Sequence, residues 1–553
     1  MTEKGKPFPI VGIGASAGGQ SAFTAFFTAM ADQPGMAFVL VQHLAPDHKS
    51  ILAELIQHHT RMPVCEVVDG MTVCPNQVYV IPPNRDMALI NGTLHLLAPF
   101  APRGRRLPID FFFRSLAQDQ QDLAIGIILS GTGSDGTLGV RAIKGEGGLV
   151  IAQDPESAEY DGMPCSASAT GLVDFELRPE QMPERLIAYL EHAFCRSGRA
   201  VSSPPPGEEK ALDKIFILLR NQTGHDFSQY KPSTLQRRIG RRMALQQIDT
   251  LDRYIAYAQQ TPAELTSLFR DLLIGVTQFF RDPEAFELLE KLVFPKLIAG
   301  KGAAEAIRVW TPGCSTGEEA YSLAILLAEC QEKLKQNCTV QIFATDIDDR
   351  AIAVARSGFY PASIAADVTA SRLARYFLAE GDGGGYRVHK TIRDMVIFSE
   401  QDLIKDPPFS RLDLISCRNL LIYMQGALQK KLIPLFHCVL NPGGFLFLGS
   451  SESIGEFTDL FVAEDRKSKL YRRQDDPANR KRARFLPMLA RGTRGTLGGG
   501  NRVLHGKTPL RELVEQALLR HLVAAAALVH ANGDILYLHG RTGCYLEPAP
   551  GGS

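Results

Sequence analysis

The sequence of 553 residues lacks a charge imbalance, paired cysteines and long apolar runs. Its 60 basic and 60 acidic residues cancel, so the overall charge gives no support to nucleic-acid binding. The ten cysteines include no C-x-x-C pair, which argues against a metal site or a disulfide scaffold. No apolar run is long enough to cross a membrane. We therefore expect a cytoplasmic protein with reduced thiols, no metal and no membrane insertion.

Short apolar runs alternate with helical periods in two separate parts of the chain. In the first part the runs are Ala37–Gln42, Gln77–Ile81, Ala124–Leu129 and Gly148–Ala152. In the second they are Ile307–Trp310, Thr339–Thr345, Met395–Ser399, Leu412–Ser416 and Gly444–Leu448. Strands that alternate with helices are typical of a parallel sheet with right-handed crossovers. The predicted fold class is therefore α/β, with two parallel-sheet domains, the second preceded by a small all-α subdomain and followed by an incomplete α+β segment.

Composition sets the expected boundaries of these parts. We expect the first α/β domain at 8–195, the helical subdomain at 211–275, the second α/β domain at 276–472 and the α+β segment at 507–553. Residues 196–210, which include three consecutive prolines, and the Arg/Gly-rich residues 473–506 are typical of linkers. In the last segment, Ala526–Ala531 and Ile535–Leu538 flank an Asn-Gly-Asp turn, which predicts a hairpin. The glycine-rich run Gly381–Gly385 predicts another.

A glycine-rich turn at Pro9–Gly19 satisfies two templates. The run G-I-G-A-S-A at 12–17 is a permissive dinucleotide-binding fingerprint, in which phosphate meets a helix N-terminus. The run G-A-S-A-G at 14–18 is a nucleophile turn, in which the hydroxyl of Ser16 stands on a sharp bend between a strand and a helix. The two templates need different partners downstream.

The end of the next strand favours the nucleophile. A dinucleotide site needs a carboxylate there to hold the ribose, whereas this strand ends in Gln42 and His43. An imidazole can take the proton of Ser16, and Asp135, which follows another buried strand, can orient that imidazole. Because the carboxyl ends of parallel strands meet at one edge of a sheet, we predict a catalytic triad of Ser16, His43 and Asp135. Each of these residues taken alone is more often a cap or a turn residue.

A second glycine turn follows the strand at Ile307–Trp310. It lacks the G-x-x-x-x-G-K-[ST] pattern, which excludes a Walker-type phosphate loop. Glu318 and Glu319 open the next helix and favour a cationic or hydroxyl-rich ligand, and the following strand ends in Asp346, a candidate ribose-binding carboxylate. A positively charged nucleoside without phosphates, S-adenosylmethionine, fits both features. A capped helix followed by a turn aspartate is the competing interpretation.

Four arginines crowd one face of the helix predicted at Pro232–Gln247. They are Arg237, Arg238, Arg241 and Arg242. The adjoining apolar face consists of Leu235, Ile239 and Met243. A run of like charge is usually a solvated helix face. Arginines so close together repel one another, so an acidic partner surface is the competing hypothesis.

The first domain contains the motifs I-G-A-S-A-G-G, V-Q-H-L-A-P, S-G-T-G-S-D-G and A-Q-D-P-E-S-A-E-Y-D-G-M-P. Through them, residues 8–193 resemble the catalytic domain of the CheB-type chemotaxis protein-glutamate methylesterases. The resemblance implies that Ser16 attacks the methyl ester of a receptor glutamate, with His43 as base and Asp135 as the residue that orients it. It also extends the expected hydrolase activity to glutamine deamidation. Ala17 and Thr132 stand where that family usually has threonine and methionine.

A further set of motifs comprises G-V-T-Q-F-F-R-D at 275–282, A-T-D-I-D at 344–348, E-Q-D-L at 400–403 and C-R-N-L-L-I-Y at 417–423. Through them, residues 212–472 resemble the CheR-type chemotaxis receptor methyltransferases. By this resemblance, the residues around S-adenosylmethionine are Thr277, Arg281, Glu318, Asp346, Asp402, Leu403, Arg418 and Asn419. Gly275 stands where that family usually has asparagine. The acidic methylation helices of a receptor would then be the partner of the four arginines.

Residues 533–548 resemble the first hairpin of a PAS-like sensory module. Together the resemblances predict one polypeptide that removes and adds methyl groups on receptor glutamates. No general base is nominated for methyl transfer, because the sulfonium is already activated and positioning does most of the work. A signalling scaffold with one or both sites degenerate is the alternative. A nicotinamide-dependent oxidoreductase is disfavoured by the missing carboxylate at Gln42–His43.

Overall fold

The computed structural model describes residues 8–42, 52–99, 106–197, 208–273, 275–301, 305–380, 385–474, 525–529 and 535–540. Met1–Phe485 forms one unit and Leu486–Ser553 a second one. Most of the two expected linkers, at 196–210 and 473–506, lies outside the described residues. Among the described residues, no helix is both long enough and apolar enough to cross a membrane.

The first domain begins with strand β1 and ends with helix α6. Its strands are β1 Ile10–Ala15, β2 Ala37–Gln42, β3 Val64–Glu66, β4 Met71–Thr72, β5 Val78–Val80, β6 Asp86–Ile90, β7 Thr93–Leu97, β8 Ala124–Ile128, β9 Leu149–Gln153 and β10 Phe175–Leu177. Its helices are α1 Gly19–Ala29, α2 Leu52–Gln57, α3 Pro108–Gln120, α4 Thr137–Gly145, α5 Gly162–Ser168 and α6 Met182–Ser197. Short 3-10 helices occur at Gln121–Leu123, Pro155–Ser157 and Pro179–Gln181.

Seven of these strands form one sheet in the order β10-β9-β8-β1-β2-β5-β3, and every neighbouring pair is parallel. The central strand β1 is buried along its whole length. Phe23 and Phe26 of α1 belong to the apolar core on one face of the sheet, and Phe112 and Phe113 of α3 belong to the core on the other. Burial on both faces explains why the strands are continuous apolar runs, and the parallel sheet predicted from them is confirmed.

A small antiparallel sheet, β4-β7-β6, was not predicted from the sequence. Its hairpin β6–β7 turns at Asn91 and Gly92, both of which have positive φ, at 51° and 70°. Asn-Gly between two strands is a strong hairpin signal, because both central positions of a type I′ turn favour these residues. This dipeptide is the signal that could have revealed the sheet.

Four helices form the subdomain between the two sheets: α7 Glu208–Thr223, α8 Pro232–Leu245, α9 Leu251–Gln260 and α10 Pro262–Leu272. Leu235, Ile239 and Met243 of α8 are buried in its core together with Ile215 and Tyr254. The apolar face predicted for α8 is therefore confirmed.

The second α/β domain runs from α11 to β20. Its helices are α11 Pro283–Leu288, α12 Phe294–Ala299, α13 Glu318–Leu334, α14 Asp349–Ser357, α15 Ala370–Tyr376, α16 Lys390–Arg393 and α17 Gly426–Val439. Its strands are β11 Ile307–Pro312, β12 Val340–Asp346, β13 Phe359–Tyr360, β14 Phe377–Glu380, β15 Gly385–Val388, β16 Val396–Glu400, β17 Leu412–Cys417, β18 Leu440–Leu448, β19 Phe461–Asp465 and β20 Leu470–Arg473. A π-helical turn at Leu289–Val293 joins α11 to α12, and 3-10 helices occur at Ala362–Ala366 and Leu421–Tyr423.

The main sheet of this domain has the order β16-β12-β11-β17-β18-β20-β19. Its first five strands are parallel, as predicted, whereas β20 is antiparallel to both β18 and β19. The strands β14 and β15 pair antiparallel on either side of the glycine-rich run at 381–385, which confirms the predicted hairpin.

The second unit contributes two described strands, β21 Ala525–Val529 and β22 Ile535–Gly540. They pair antiparallel, so the hairpin predicted around Asn532-Gly533 is confirmed.

Helix α8 packs against the first domain, which corrects the hypothesis about its arginines. Arg238 donates to the carbonyl oxygens of Lys144 (3.0 Å) and Gly145 (2.9 Å) at the C-terminal end of α4. Arg242 donates from Nε (2.8 Å) and Nη2 (2.6 Å) to the two carboxylate oxygens of Glu264 of α10. Arg238 and Arg241 are buried, and Arg237 stays exposed. Three of the four arginines therefore hold the protein together, and they do not form a free face for an acidic partner.

Arg241 lies at the centre of a buried group of charges between the first domain and the helical subdomain. It pairs with Asp174 of the first domain and, at 2.7 Å, with Asp271 of α10. Lys144 pairs with the same Asp174. Burial alone would raise the pKa of Asp174, but the two cations beside it bring that pKa down to about 2. Two cations and two carboxylates, all with buried side chains, thus compensate one another.

Asp174→Asn should destabilise the protein by about 3–5 kcal/mol, because Arg241 and Lys144 would share one remaining buried carboxylate. Calorimetric unfolding at neutral pH measures the change. The matched control is Asp32→Asn, which removes a solvent-exposed ion pair to Arg61 and should cost less than about 1 kcal/mol. Equal effects of the two variants would contradict this account of the interface.

Candidate functional sites

The first candidate site lies at the carboxyl edge of the first sheet, where β8, β1 and β2 are neighbours. β1 leads directly into Ser16, and β8 leads into the loop that carries Asp135. The strand pairing puts Gly14 beside Ile128 and Ala15 beside Gln42. The two turns that carry Ser16 and Asp135 therefore leave adjacent strands on the same side.

Hydrogen bonds fix the turn of Ser16 to its neighbours. The backbone N–H of Ser16 donates to the carbonyl of Ser130 (3.0 Å), and the Gln42 side chain donates to the carbonyl of Ser16 (3.3 Å). The hydroxyl of Ser130 donates to the carbonyl of Ala17 (3.0 Å) and accepts from the N–H of Tyr160 (3.0 Å). Residues from all four motifs that carried the resemblance thus meet around Ser16.

Asp135 is a buried carboxylate held by three backbone N–H groups. Its oxygens accept from Ile109 (3.0 Å) and Asp110 (2.9 Å) at the start of α3 and from Gly136 (2.8 Å). Backbone donors of this kind stabilise a negative charge away from water and fix the orientation of the carboxylate. His43 lies outside the described residues, so its position as the third member of the triad stays a prediction.

The glycines of this turn have packing roles. A Cβ on Gly14 would overlap Ile109, and a Cβ on Gly12 would come within 2.9 Å of the Phe113 ring. Gly18 has a φ of +72°, a conformation that residues with a side chain rarely adopt. Glycine therefore lets α3 pack directly on β1. This packing accounts for the spacing that resembles a dinucleotide fingerprint.

Asp110 is a site residue that the sequence analysis missed. It is buried next to Asp135, and one of its oxygens accepts from the N–H of Gly139 (2.6 Å). Burial raises its pKa well above the ordinary value, and the charge of Asp135 raises it further. A protonated Asp110 can sit beside Asp135 without repelling it. Asp110 lies in the first turn of α3, just after Pro108, where carboxylates are common, so the sequence alone does not distinguish it from an ordinary first-turn residue.

The second candidate site is a cleft of about 770 Å³, counted with its open mouth, at the carboxyl edge of the second sheet. Four of the predicted cofactor residues line it: Asp346, Asp402, Leu403 and Asn419. Gly313 and Ser315 of the glycine turn form the adjacent wall.

The lining of the cleft fits a cationic nucleoside. Among the described residues that line it, two are carboxylates and none is lysine or arginine. A phosphate would therefore find no cation here, whereas a sulfonium and a pair of ribose hydroxyls would find acceptors. Gln401 supplies a further buried acceptor, its Oε1 atom, which has no hydrogen-bond partner among the described atoms.

Asp346 ends β12 and is held in place by backbone donors. The N–H of Ser315 donates to one oxygen (2.7 Å) and the N–H of Asp348 to the other (3.0 Å). Burial raises the pKa of this carboxyl to about 6, because the donors offset only part of the cost of burying its charge. The charge state of Asp346 therefore changes just below neutral pH.

The helical subdomain supplies another wall of the cleft. Tyr230, Leu272 and Leu273 line it directly. Behind them, the imidazole of His225 stacks on Phe269 and lies 3.0 Å from the carboxylate of Asp402. His225 thus holds a predicted cofactor residue from the neighbouring subdomain, a contact that the sequence alone did not indicate.

Four predicted cofactor residues do not line this cleft. Arg418 is buried against the rings of Phe286 and Phe447 and pairs with Asp282 at 2.6 Å. The other three are Thr277, Arg281 and Glu318. Arg281 donates to the carbonyl of Val276 (2.9 Å).

Gly275 lines the cleft and leaves little room for a larger residue. A Cβ at this position would lie 3.0 Å from the hydroxyl oxygen of Ser315. That hydroxyl donates to the carbonyl of Gly275 itself (3.1 Å). Ser315 thus occupies the space next to the position where asparagine is usual.

Comparison with family models gives three matches in chain order. Residues 11–186 match CheB methylesterase, residues 210–273 match the all-alpha domain of CheR methyltransferase, and residues 275–470 match the SAM-binding domain of CheR methyltransferase. The third match confirms S-adenosylmethionine as the cofactor.

Individual relatives cover different parts of the chain. An uncharacterized 104.1 kDa protein of Rhodobacter capsulatus is 40% identical over 76% of this chain, and the chain spans 46% of that longer protein. Chemotaxis protein methyltransferase 2 of Vibrio cholerae is 33% identical over 45% of this chain and 88% of its own length. The solved catalytic domain of Thermotoga maritima CheB methylesterase is 32% identical over 33% of this chain and 98% of its own, with a TM-score of 0.32.

Gly131→Ala should destabilise the first domain by about 1–3 kcal/mol, the usual cost of overpacking. The added Cβ would overlap the sulfur of Met163 and lie 2.9 Å from the Cβ of Ser16. Gly426→Ala is the control, because a Cβ there meets nothing within 4 Å. Thermal unfolding followed by calorimetry should show a loss for the first variant alone. An unchanged midpoint for Gly131→Ala would mean that the two turns are not in close contact.

Proposed function

Because this chain belongs to the CheR methyltransferase family and carries a CheB methylesterase domain in the same polypeptide, we propose that it both adds and removes methyl esters on glutamates of a chemotaxis receptor. Two separate sites support the combination of the two activities best. They lie at the carboxyl ends of the parallel strands of two sheets, one around Ser16 and the other around the carboxylates Asp346 and Asp402.

In the first site, we propose that the hydroxyl of Ser16 attacks the ester carbonyl while His43 takes its proton. Methanol leaves, and water then hydrolyses the acyl-enzyme with His43 again as base. The three backbone donors on Asp135 keep that carboxylate in place to orient the imidazole. Helix α1 begins three residues after Ser16, and its positive N-terminal end stabilises the developing oxyanion. Attack on a glutamine side chain would follow the same course with ammonia as the leaving group.

In the second site, S-adenosylmethionine supplies an activated methyl group. We propose that Asp346 accepts the ribose hydroxyls and that Asp402, Leu403 and Asn419 bind the rest of the nucleoside. Glu318, Thr277 and Arg281 would hold the amino-acid end, and Arg418 would support them from behind through Asp282. The task of these residues is to hold the methyl group in line with a glutamate oxygen, since transfer needs no further activation.

A signalling scaffold with degenerate sites is the second candidate function. Thr132 and Gly275 favour it, because both differ from the usual residues of their families. Thr132 would flank the oxyanion site, and Gly275 lines the cleft, where a hydrogen bond to the cofactor would be lost. A scaffold would bind receptor without changing its methylation.

We also propose that the C-terminal segment belongs to a PAS-like module and that the domains have the boundaries predicted from the sequence.

Single substitutions should separate the two activities in the full chain with methyl-labelled receptor as substrate. Ser16→Ala should abolish methanol release and leave methylation intact, because the nucleophile is lost. Asp346→Ala should do the reverse, because the ribose loses its acceptor. Undiminished ester hydrolysis by Ser16→Ala would contradict the triad, and absence of both activities in the parent chain would favour the scaffold.

Binding of S-adenosylmethionine should weaken as the pH falls below about 6. Only the ionised carboxylate of Asp346 accepts both ribose hydroxyls, and its pKa in the free protein is about 6. At pH 5 the dissociation constant should therefore rise about tenfold over its value at pH 7.5. Titration calorimetry measures it, with Asp346→Asn as a control whose weaker binding should not change over this range. A constant affinity in the parent protein would contradict the assignment of Asp346.

A further inference from the structure

A side chain of the first domain reaches a predicted cofactor residue of the second. The guanidinium of Arg141, in the middle of α4, lies 3.2 Å from the carboxylate of Glu318 at the start of α13. The Glu318 side chain is 3% exposed and the Arg141 side chain 17%. The hydroxyl of Thr316 donates to the same carboxylate, at 2.6 Å from its nearer oxygen. Arg141 is therefore the cation that compensates a nearly inaccessible negative charge.

The same helix, α4, also contacts the loop that carries Thr277 and Arg281, the other residues proposed to bind the amino-acid end of S-adenosylmethionine. A Cβ on Gly145, the last residue of α4, would overlap the side chain of Val276. The carbonyl of Val276 accepts from Arg281, and Thr277 follows it in the chain. Glu318 and the loop at 275–281 thus rest on one helix of the methylesterase domain.

Helix α4 is itself fixed in position. Arg238 binds the carbonyl oxygens of Lys144 and Gly145 at its C-terminal end, where a cation is stabilised by the helix dipole. Lys144 pairs with Asp174 in the buried charge group described above. Arg141 is therefore presented to Glu318 by a rigid support.

We propose that Arg141 of the methylesterase domain is a positioning residue of the methyltransferase site, where it holds the Glu318 carboxylate in the orientation that binds the ammonium group of S-adenosylmethionine. The proposal rests on the function proposed above for the second domain. It makes the first domain a structural part of the cofactor site.

The electrostatics at Glu318 require such a partner. Burial raises the pKa of this carboxyl, and the charge of Arg141 opposes that rise. Without the guanidinium, Glu318 would more readily take up a proton and lose the negative charge that an ammonium group needs. The nucleoside half of the ligand would contact Asp346 and Asp402, which line the cleft, whereas Glu318 is not part of that lining.

The experiment compares two ligands on variants of the full chain by titration calorimetry. S-adenosylhomocysteine carries the ammonium group, whereas 5′-methylthioadenosine carries the same nucleoside without the amino-acid end. For Arg141→Ala, we expect the dissociation constant of the first ligand to rise about tenfold, the scale of one charge-assisted hydrogen bond, and that of the second to stay within about twofold. Arg141→Lys should restore part of the loss.

The matched control is Arg114→Ala, which removes another ion pair between the same domains, to Asp367 at 3.4 Å. It should change the affinity for neither ligand by more than about twofold, and ester hydrolysis should be unchanged in both arginine variants. In the Glu318→Gln background, Arg141→Ala should have no further effect.

Three results would overturn the proposal. They are an unchanged affinity of Arg141→Ala for S-adenosylhomocysteine, an equal loss of affinity for both ligands, and an equal loss in Arg114→Ala. Failure of the parent chain to bind either ligand would instead reject the proposed function of the second domain, so the two failures are distinguishable.

Discussion

Parallel strands impose the constraint on which both sites depend. Each strand must be followed by a crossover that returns the chain to the opposite edge, so the carboxyl ends of all the strands meet on one side of the sheet. Ser16 and Asp135 follow adjacent strands of the first sheet, and Gly313 and Asp346 lie at the ends of adjacent strands of the second. The same geometry places the proposed nucleophile at the edge of one sheet and the proposed nucleoside-binding carboxylate at the edge of the other. The chemistry depends on which side chains stand at that edge.

The interface between the first domain and the helical subdomain depends on a different interaction, in which buried charges of opposite sign compensate one another. Arg241, Lys144, Asp174 and Asp271 are each expensive to bury alone, and together they leave no net charge. Apolar contact contributes at the same surface, since Ala244 and Leu245 of α8 belong to the core of the first domain. Such an interface fixes the orientation of α4 more strictly than apolar packing would, because ion pairs and hydrogen bonds are directional.

Local patterns of the sequence were sufficient to predict the parallel strands of the two main sheets and the glycine turns. Buried parallel strands are apolar runs in the sequence. Asp346 could be predicted as a candidate ribose-binding carboxylate because it stands at the end of one of these runs. Contacts between distant segments could not be predicted in this way. The arginines of α8 have the same sequence pattern whether they face solvent or another domain, and only the packed structure shows that Arg238 and Arg241 are buried. Asp110 and His225 were not predicted for the same reason, since each contacts a site residue that is distant in the sequence, Asp135 and Asp402 respectively.

The buried charges also limit how such a protein can evolve. A methylesterase domain taken from another protein would have to bring a carboxylate at the position of Asp174, or Arg241 would be buried with half of its compensation missing. It would also have to bring a small residue at the position of Gly145 to accommodate Val276. An exchanged methylesterase domain would therefore have to match the rest of the protein at both positions, and a substitution on α4 would alter contacts of both halves.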